Sequence, residues 1–154
     1  MPRLFAVDTN VIVSGVLRFG RPSATSLVLA ALLDGRVPFV ISADLLAEYR
    51  RVLLRPIIAE RHGWVSADID RLLAELTTAA YLRQPPDDGA ADTDDPPPDG
   101  PAGDEHVIRL LAHEPRASLV SGDGQLLDAV RGWREVLTPA ELVALLGLRH
   151  RAFM

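Results

Sequence analysis

Short, continuous apolar runs alternate along this chain with longer stretches in which apolar residues recur every three or four positions. The run at residues 4–7 is wholly apolar and too short for a helix, so it predicts a buried strand ending at Asp8. Residues 11–17 are rich in β-branched side chains, but their place behind a strand predicts a helix start, interrupted at Gly15. Gly20-Arg21-Pro22 is a turn, after which Ser23 caps a helix running to about Asp34. Residues 37–41 give a second strand. Ser42 then caps a helix with Asp44 in its first turn, where negative charge suits the helix dipole, and Pro56 stops it near Arg55. A short helical turn follows at 57–62, closed by Gly63. Ser66 opens a helix carrying Ile69, Leu72, Leu73 and Leu76 at helical spacing, and residues 80–82 form a weak third strand.

The pattern lapses at residues 84–103, QPPDDGAADTDDPPPDGPAG, where six Pro and six Asp leave no periodic apolar face to bury. This predicts a mobile loop insertion, unusual in length for a small domain. Periodicity resumes with a helix from Asp104 to about His113, a strand at 118–120, a short helix at 125–130 and a strand at 135–137. The last helix has the fullest set of signals: Thr138 as N-cap, Pro139 at its first position, Glu141 completing a capping box and Gly147 as the stop. Strands alternating with helices predict an α/β fold, a three-layer α/β/α sandwich around a mostly parallel sheet. Residues 1–147 form a single domain and 148–154 a C-terminal tail.

Composition changes this picture in two respects. The chain has 154 residues, enough for one core, and a net charge of −5 that is misleading. With the six Asp of the loop set aside, 16 basic side chains face 15 acidic ones, so the body is neither a basic nucleic-acid glove nor an acidic protein. All the basic residues are Arg and none is Lys. Arg suits bidentate phosphate contacts, although base composition of the coding sequence accounts for such a bias equally simply. There are no cysteines, which excludes disulfides, thiolate metal sites and cysteine nucleophiles. No apolar run reaches the ~20 residues needed to span a bilayer, and no signal peptide is evident, so the expected location is cytoplasmic.

Four carboxylates stand out against this background. Asp8 and Asp123 follow apolar runs, at strand ends where open α/β folds bind ligands, and Asp104 opens a helix. Each also reads as an ordinary N-cap. Glu48 has no such explanation. It sits inside its helix, beside the apolar stripe of Leu45, Leu46, Tyr49, Val52 and Leu53, with Arg51 and Arg55 on the same side. It is either half of a surface ion pair with Arg51 or a carboxylate aimed into a site where Arg51 or Arg55 meets a phosphate. Thr9 and Asn10 after Asp8, and Ser121 and Gly122 before Asp123, offer hydrogen bonds that orient carboxylates, or else simple turns. Two carboxylates ~4 Å apart repel by about 4 kcal/mol at an effective dielectric near ~20. Four around one pocket therefore need a cation or must protonate in part. The four histidines, His62, His106, His113 and His150, show no zinc spacing, whereas Mg²⁺ takes oxygen ligands. His106 is close to Asp104 and is expected at a solvent-exposed helix position.

The set resembles the PIN-domain ribonucleases, and among them the toxins of bacterial toxin–antitoxin pairs. The resemblance is carried by residues 7–14 (VDTNVIVS), Glu48 on the third helix, residues 104–108 (DEHVI), residues 120–127 (VSGDGQLL) and residues 137–142 (LTPAEL), in that order from Leu4 to about Leu146. It implies a three-layer fold and an acidic site of Asp8, Glu48, Asp104 and Asp123 holding Mg²⁺ or Mn²⁺, catalytic for RNA cleavage. Thr9, Asn10, Ser121 and Gln125 would support the site, and Arg51 and Arg55 would touch RNA. It also implies a cognate antitoxin partner and a homodimer, for which the apolar faces of residues 67–80 and 139–146 are candidates, with core packing as their ordinary role. Two features depart from the family pattern. Gln125 stands where another acid is often found, and the segment before Asp104 is swollen, so that Asp99 rivals Asp104 as the third carboxylate; Asp104 is preferred because Val107, Ile108 and Leu111 follow it at helical spacing, and Asp94 and Asp95 read as a solvated run. Two other functions remain open: a phosphatase using Asp8 as nucleophile, which Asn10 and the missing Lys disfavour, and a PIN-like interaction module whose site has decayed.

Overall fold

The computed structural model describes residues 3–86 and 96–149; Asp94, Asp95 and His150 lie outside the described residues. The elements, in chain order, are β1 (Leu4–Val7), α1 (Thr9–Leu17), α2 (Ala24–Leu33), β2 (Phe39–Ile41), α3 (Ala43–Leu53), α4 (Pro56–His62) and α5 (Ser66–Ala79). They continue with β3 (Tyr81–Leu82), α6 (Glu105–Ala112), β4 (Ala117–Val120), α7 (Gly124–Val130), β5 (Val136–Leu137) and α8 (Pro139–Leu146). The five strands form one sheet in the order β3-β2-β1-β4-β5, and every pairing is parallel. All four residues of β1 are buried. Because successive strand side chains point to opposite faces, both faces of the sheet are covered, as a parallel sheet requires. The fold is α/β.

This strand order places a topological switch point between β1 and β4. The chain leaves β1 toward β2 and β3, then crosses back to lay β4 on the other side. Loops leaving the carboxyl ends of two neighbouring strands in opposite directions open a crevice there. Asp8 and Asp123 come from those two loops.

Most boundaries follow from local chemistry. Ser23 accepts from Ser26 N at 3.1 Å and Ser42 from Leu45 N at 3.1 Å, each satisfying an orphan donor of a helix start. Thr138 and Glu141 form the reciprocal capping box, and Gly147 adopts φ 62°, the left-handed conformation that ends the helix. The second strand begins only at Phe39, since Pro38 has no N–H to give; its carbonyl still accepts from Phe5 N at 3.1 Å.

Gly15 corrects the sequence expectation. It does not interrupt α1, which runs unbroken to Leu17. A Cβ at this position would lie 2.9 Å from Leu29 Cβ and 2.9 Å from the Thr25 carbonyl, so glycine is present to let α1 and α2 approach closely. The apolar stripe of α5 (Ile69, Leu72, Leu73, Leu76) and Leu142 of α8 are buried in the chain's own core, which is their ordinary role. Leu148, just beyond α8, is buried with them. No helix among the described residues is long and apolar enough to cross a membrane.

Candidate functional site

Asp8 ends β1 and is only 5% exposed. It caps α1 by accepting from Thr9 N at 2.9 Å, and its other oxygen accepts from Asn10 Nδ2 at 3.0 Å and Ser121 Oγ at 2.8 Å. These bonds tie the β1 loop to the β4 loop. Asn10 reaches across as well, its Oδ1 accepting from Gly122 N at 2.9 Å, so it does not merely fold back on its own turn. Fully buried Ser121 accepts in addition from Asp123 N at 3.0 Å. Asp123 accepts from Gln125 N at 3.0 Å, and Gln125 thus contributes through its backbone while its side chain is exposed. Burial raises the Asp8 carboxyl above its ordinary range, opposed by the Ser121 and Thr9 bonds and reinforced by the charges of Glu48 and Asp123.

Glu48 comes in from α3. Thr9 Oγ1 donates to its Oε2, His106 Nε2 lies 3.2 Å from the same oxygen, and Arg51 Nη2 donates to Oε1 at 3.4 Å. The Arg51 pair exists, but it is one of three contacts on a largely buried carboxylate, and the bland alternative of a surface pair does not describe the residue. The register of Glu48 is set by Tyr49 beside it, which is fully buried and whose hydroxyl donates to the Val7 carbonyl. That bond ties α3 to the end of β1. Burial, followed by the charges of Asp8 and Glu48, holds the Tyr49 hydroxyl well above its ordinary value, so it stays a donor.

Asp104 behaves differently. Its backbone is not extended, at φ −103° and ψ 8°, and its side chain makes no capping bond, so the ordinary N-cap explanation fails for this residue. Burial first, then the charges of Asp8, Asp123 and Glu48, raise its carboxyl to about 6. Asp99, its sequence rival, is exposed and lines no part of the cleft formed by the other acids.

All four carboxylates line one open cleft of about 450 Å³, together with Thr9, Asn10, Arg55 and Arg61. A second hollow adjoins it across Glu48 and Asp104; it is lined by Asp44, Arg51, Arg55, Gly103 and His106. A family model described as a PIN domain matches residues 5–123, a stretch that contains all four acids.

The chain belongs to the PIN-domain family. PIN domains are in general nucleases, and they typically use divalent metal ions. No curated protein matches this chain.

The donor set of this PIN domain fits a hard cation. Its acids supply only oxygen, and the charges of Asp8, Asp123 and Glu48 add to burial in raising the Asp104 carboxyl. Among the described residues, no group of three acidic or histidine side chains is close enough to hold an ion without help. An ion here would therefore keep much of its water, as Mg²⁺ commonly does.

Sequence reasoning misplaced His106. It is not a solvent-exposed helix residue: its side chain is 17% exposed and lies against Glu48, and its Nδ1 is buried without a hydrogen-bond partner among the described residues. Its place on the first turn of α6, two residues beyond Asp104, was the available signal. Arg61 was missed because nothing along the chain shows that α4 packs beside α1. Tyr49 was read only as part of an apolar stripe.

Proposed function

We propose that this PIN domain is a metal-dependent endoribonuclease and the toxin component of a toxin–antitoxin pair. The observation that carries the nuclease assignment is the single cleft lined by Asp8, Glu48, Asp104 and Asp123. Mg²⁺ or Mn²⁺ would be held by these four residues, in part through water. When bound, such an ion supplies Lewis acidity, making water a better nucleophile and offsetting charge on a phosphate.

The residues of the chain do the rest. Thr9, Asn10 and Ser121 fix the Asp8 carboxylate from three sides, and Ser121 also orients the Asp123 backbone. Thr9 and His106 fix one Glu48 oxygen, which leaves Glu48 ordered as an acceptor for an attacking water. Arg51 and Arg55, at the rim, would meet the phosphates of RNA. The alternative of Asp8 as a phosphatase nucleophile lacks its usual partners, because Asn10 stands two residues on where a second acid is needed and the chain has no Lys to hold the phosphate. A cognate antitoxin and homodimer formation belong to the toxin assignment and follow only from the family likeness; a cytoplasmic location is part of the same proposal.

The deciding experiment incubates a mixed RNA pool with the protein in Mn²⁺, in Mg²⁺ and in a chelator. Cleavage with either ion and none with the chelator is the expected result. Absence of cleavage under every condition, together with no Mn²⁺ binding by calorimetry, would leave an interaction module in place of an enzyme.

A further inference from the structure

Arg55 and Arg61 bracket most of α4, and neither forms an ion pair among the described residues. They set two positive charges on the α4 side of an otherwise acidic cleft. Arg55 and Arg61 line that cleft directly, with Leu17 of α1 and Ile58 of α4 as its apolar wall.

Both walls continue past the cleft to an aromatic pair. Two residues beyond Leu17 is Phe19, and three beyond Arg61 is Trp64; their rings meet edge to face, with centroids 5.4 Å apart at 83°. Phe19 is 62% exposed, a large apolar ring presented to solvent. Trp64 packs against the core and holds it in place. The seam between α1 and α4 thus begins at the carboxylates, passes arginines and ends on a fixed aromatic face.

We infer that this strip, Arg55, Arg61 and the Phe19–Trp64 pair, is a subsite for the single-stranded nucleotides that flank the phosphate in the acid cleft. Phosphates lie along the arginines and one base stacks on Phe19. Arginines interleaved with an exposed, rigid ring suit an unpaired polyanion, since a base must leave its duplex partner to reach a ring face. Phe19 and Trp64 themselves also line the neighbouring hollow, together with Asp68, Arg71 and Glu75. The inference takes its substrate class from the nuclease assignment and adds the course of the strand.

The test is direct binding, which does not depend on cleavage. Fluorescence anisotropy would follow a short labelled single-stranded RNA with the full chain in EDTA. Phe19→Ala is expected to weaken binding by about 10-fold, the value of one stacked base, with Phe19→Trp restoring it. Arg61→Ala is expected to weaken binding and to flatten the salt dependence by about one unit of slope. A duplex of the same sequence should be insensitive to Phe19→Ala. Unchanged Kd values in both alanine variants would overturn the inference. So would a Phe19→Ala protein that loses self-association while binding RNA as before, because a second copy of the chain would then be the occupant of the rings. If the anisotropy pattern holds but Mn²⁺ elicits no cleavage, the subsite stands and the nuclease assignment fails.

Discussion

Asp8 and Asp104 face the same cleft and are held in opposite ways. Asp8 is buried and accepts hydrogen bonds from Thr9, Asn10 and Ser121, two of them from its own loop and one from the neighbouring strand end. Asp104 lies half-buried at the head of α6, makes no capping bond and has its carboxyl raised to about 6 by burial and by the three other acids. One side of the site is clamped before any ligand arrives. On the other, the energetic cost of bringing four carboxylates together is left unrelieved. A site built this way pairs a rigid reference group with a group whose charge state answers to what occupies the cleft.

Asp8→Asn tests the clamped side most severely. It keeps the shape and removes the charge, so RNA cleavage should fall by at least about 10³-fold, read as kcat/KM. The thermal midpoint should fall modestly, because the Asn amide nitrogen cannot accept from whichever of the Thr9, Asn10 and Ser121 donors it meets.

Ser121→Ala sharpens the comparison by loosening the clamp and leaving the acid. Groups that orient a ligand residue are typically worth 10–100-fold in activity or metal affinity, so a loss of about that size is expected in kcat/KM and in Mn²⁺ affinity by calorimetry. The buried partners left unsatisfied should also lower stability to urea by about 1–3 kcal/mol.

Asp104→Asn probes the unclamped side through pH. With a folded value of about 6 against an ordinary 3.8, the ionised form is disfavoured in the folded chain. The stability this group contributes is therefore complete below about pH 4 and is lost as pH rises through 6. In the metal-free protein, the variant should match wild type at low pH and exceed it above pH ~6. Solvent screening of this partly exposed group limits the gain to about 1 kcal/mol. Equal denaturation midpoints for the two proteins at pH ~7.5 would show that Asp104 carries no such strain.

Gln125→Ala should have the smallest effect. Asp123 receives the Gln125 backbone N–H, and the exposed side chain is not part of that bond. Stability should stay within about 0.5 kcal/mol of wild type. A large loss of cleavage in this variant would mean that the amide itself enters the site.

Much of this architecture was legible along the chain because its causes are local. A short apolar run makes a buried strand, Ser23, Ser42 and Thr138 cap helices through their own hydroxyls, and Gly147 alone tolerates its left-handed turn. Gly15 was misread for the complementary reason: what demands glycine there is Leu29 and Thr25 on another helix, which no local rule contains.

The chain by itself determined the elements, their alternation and the four acidic candidates, since spacing and side-chain chemistry are written in neighbouring residues. Only the folded structure decided that the four acids line one cleft, that His106 lies against Glu48, and that α4 carries Arg61 alongside α1. Those facts depend on which helix packs on which, and packing is settled by burial summed over the whole core, which no single stretch of sequence encodes.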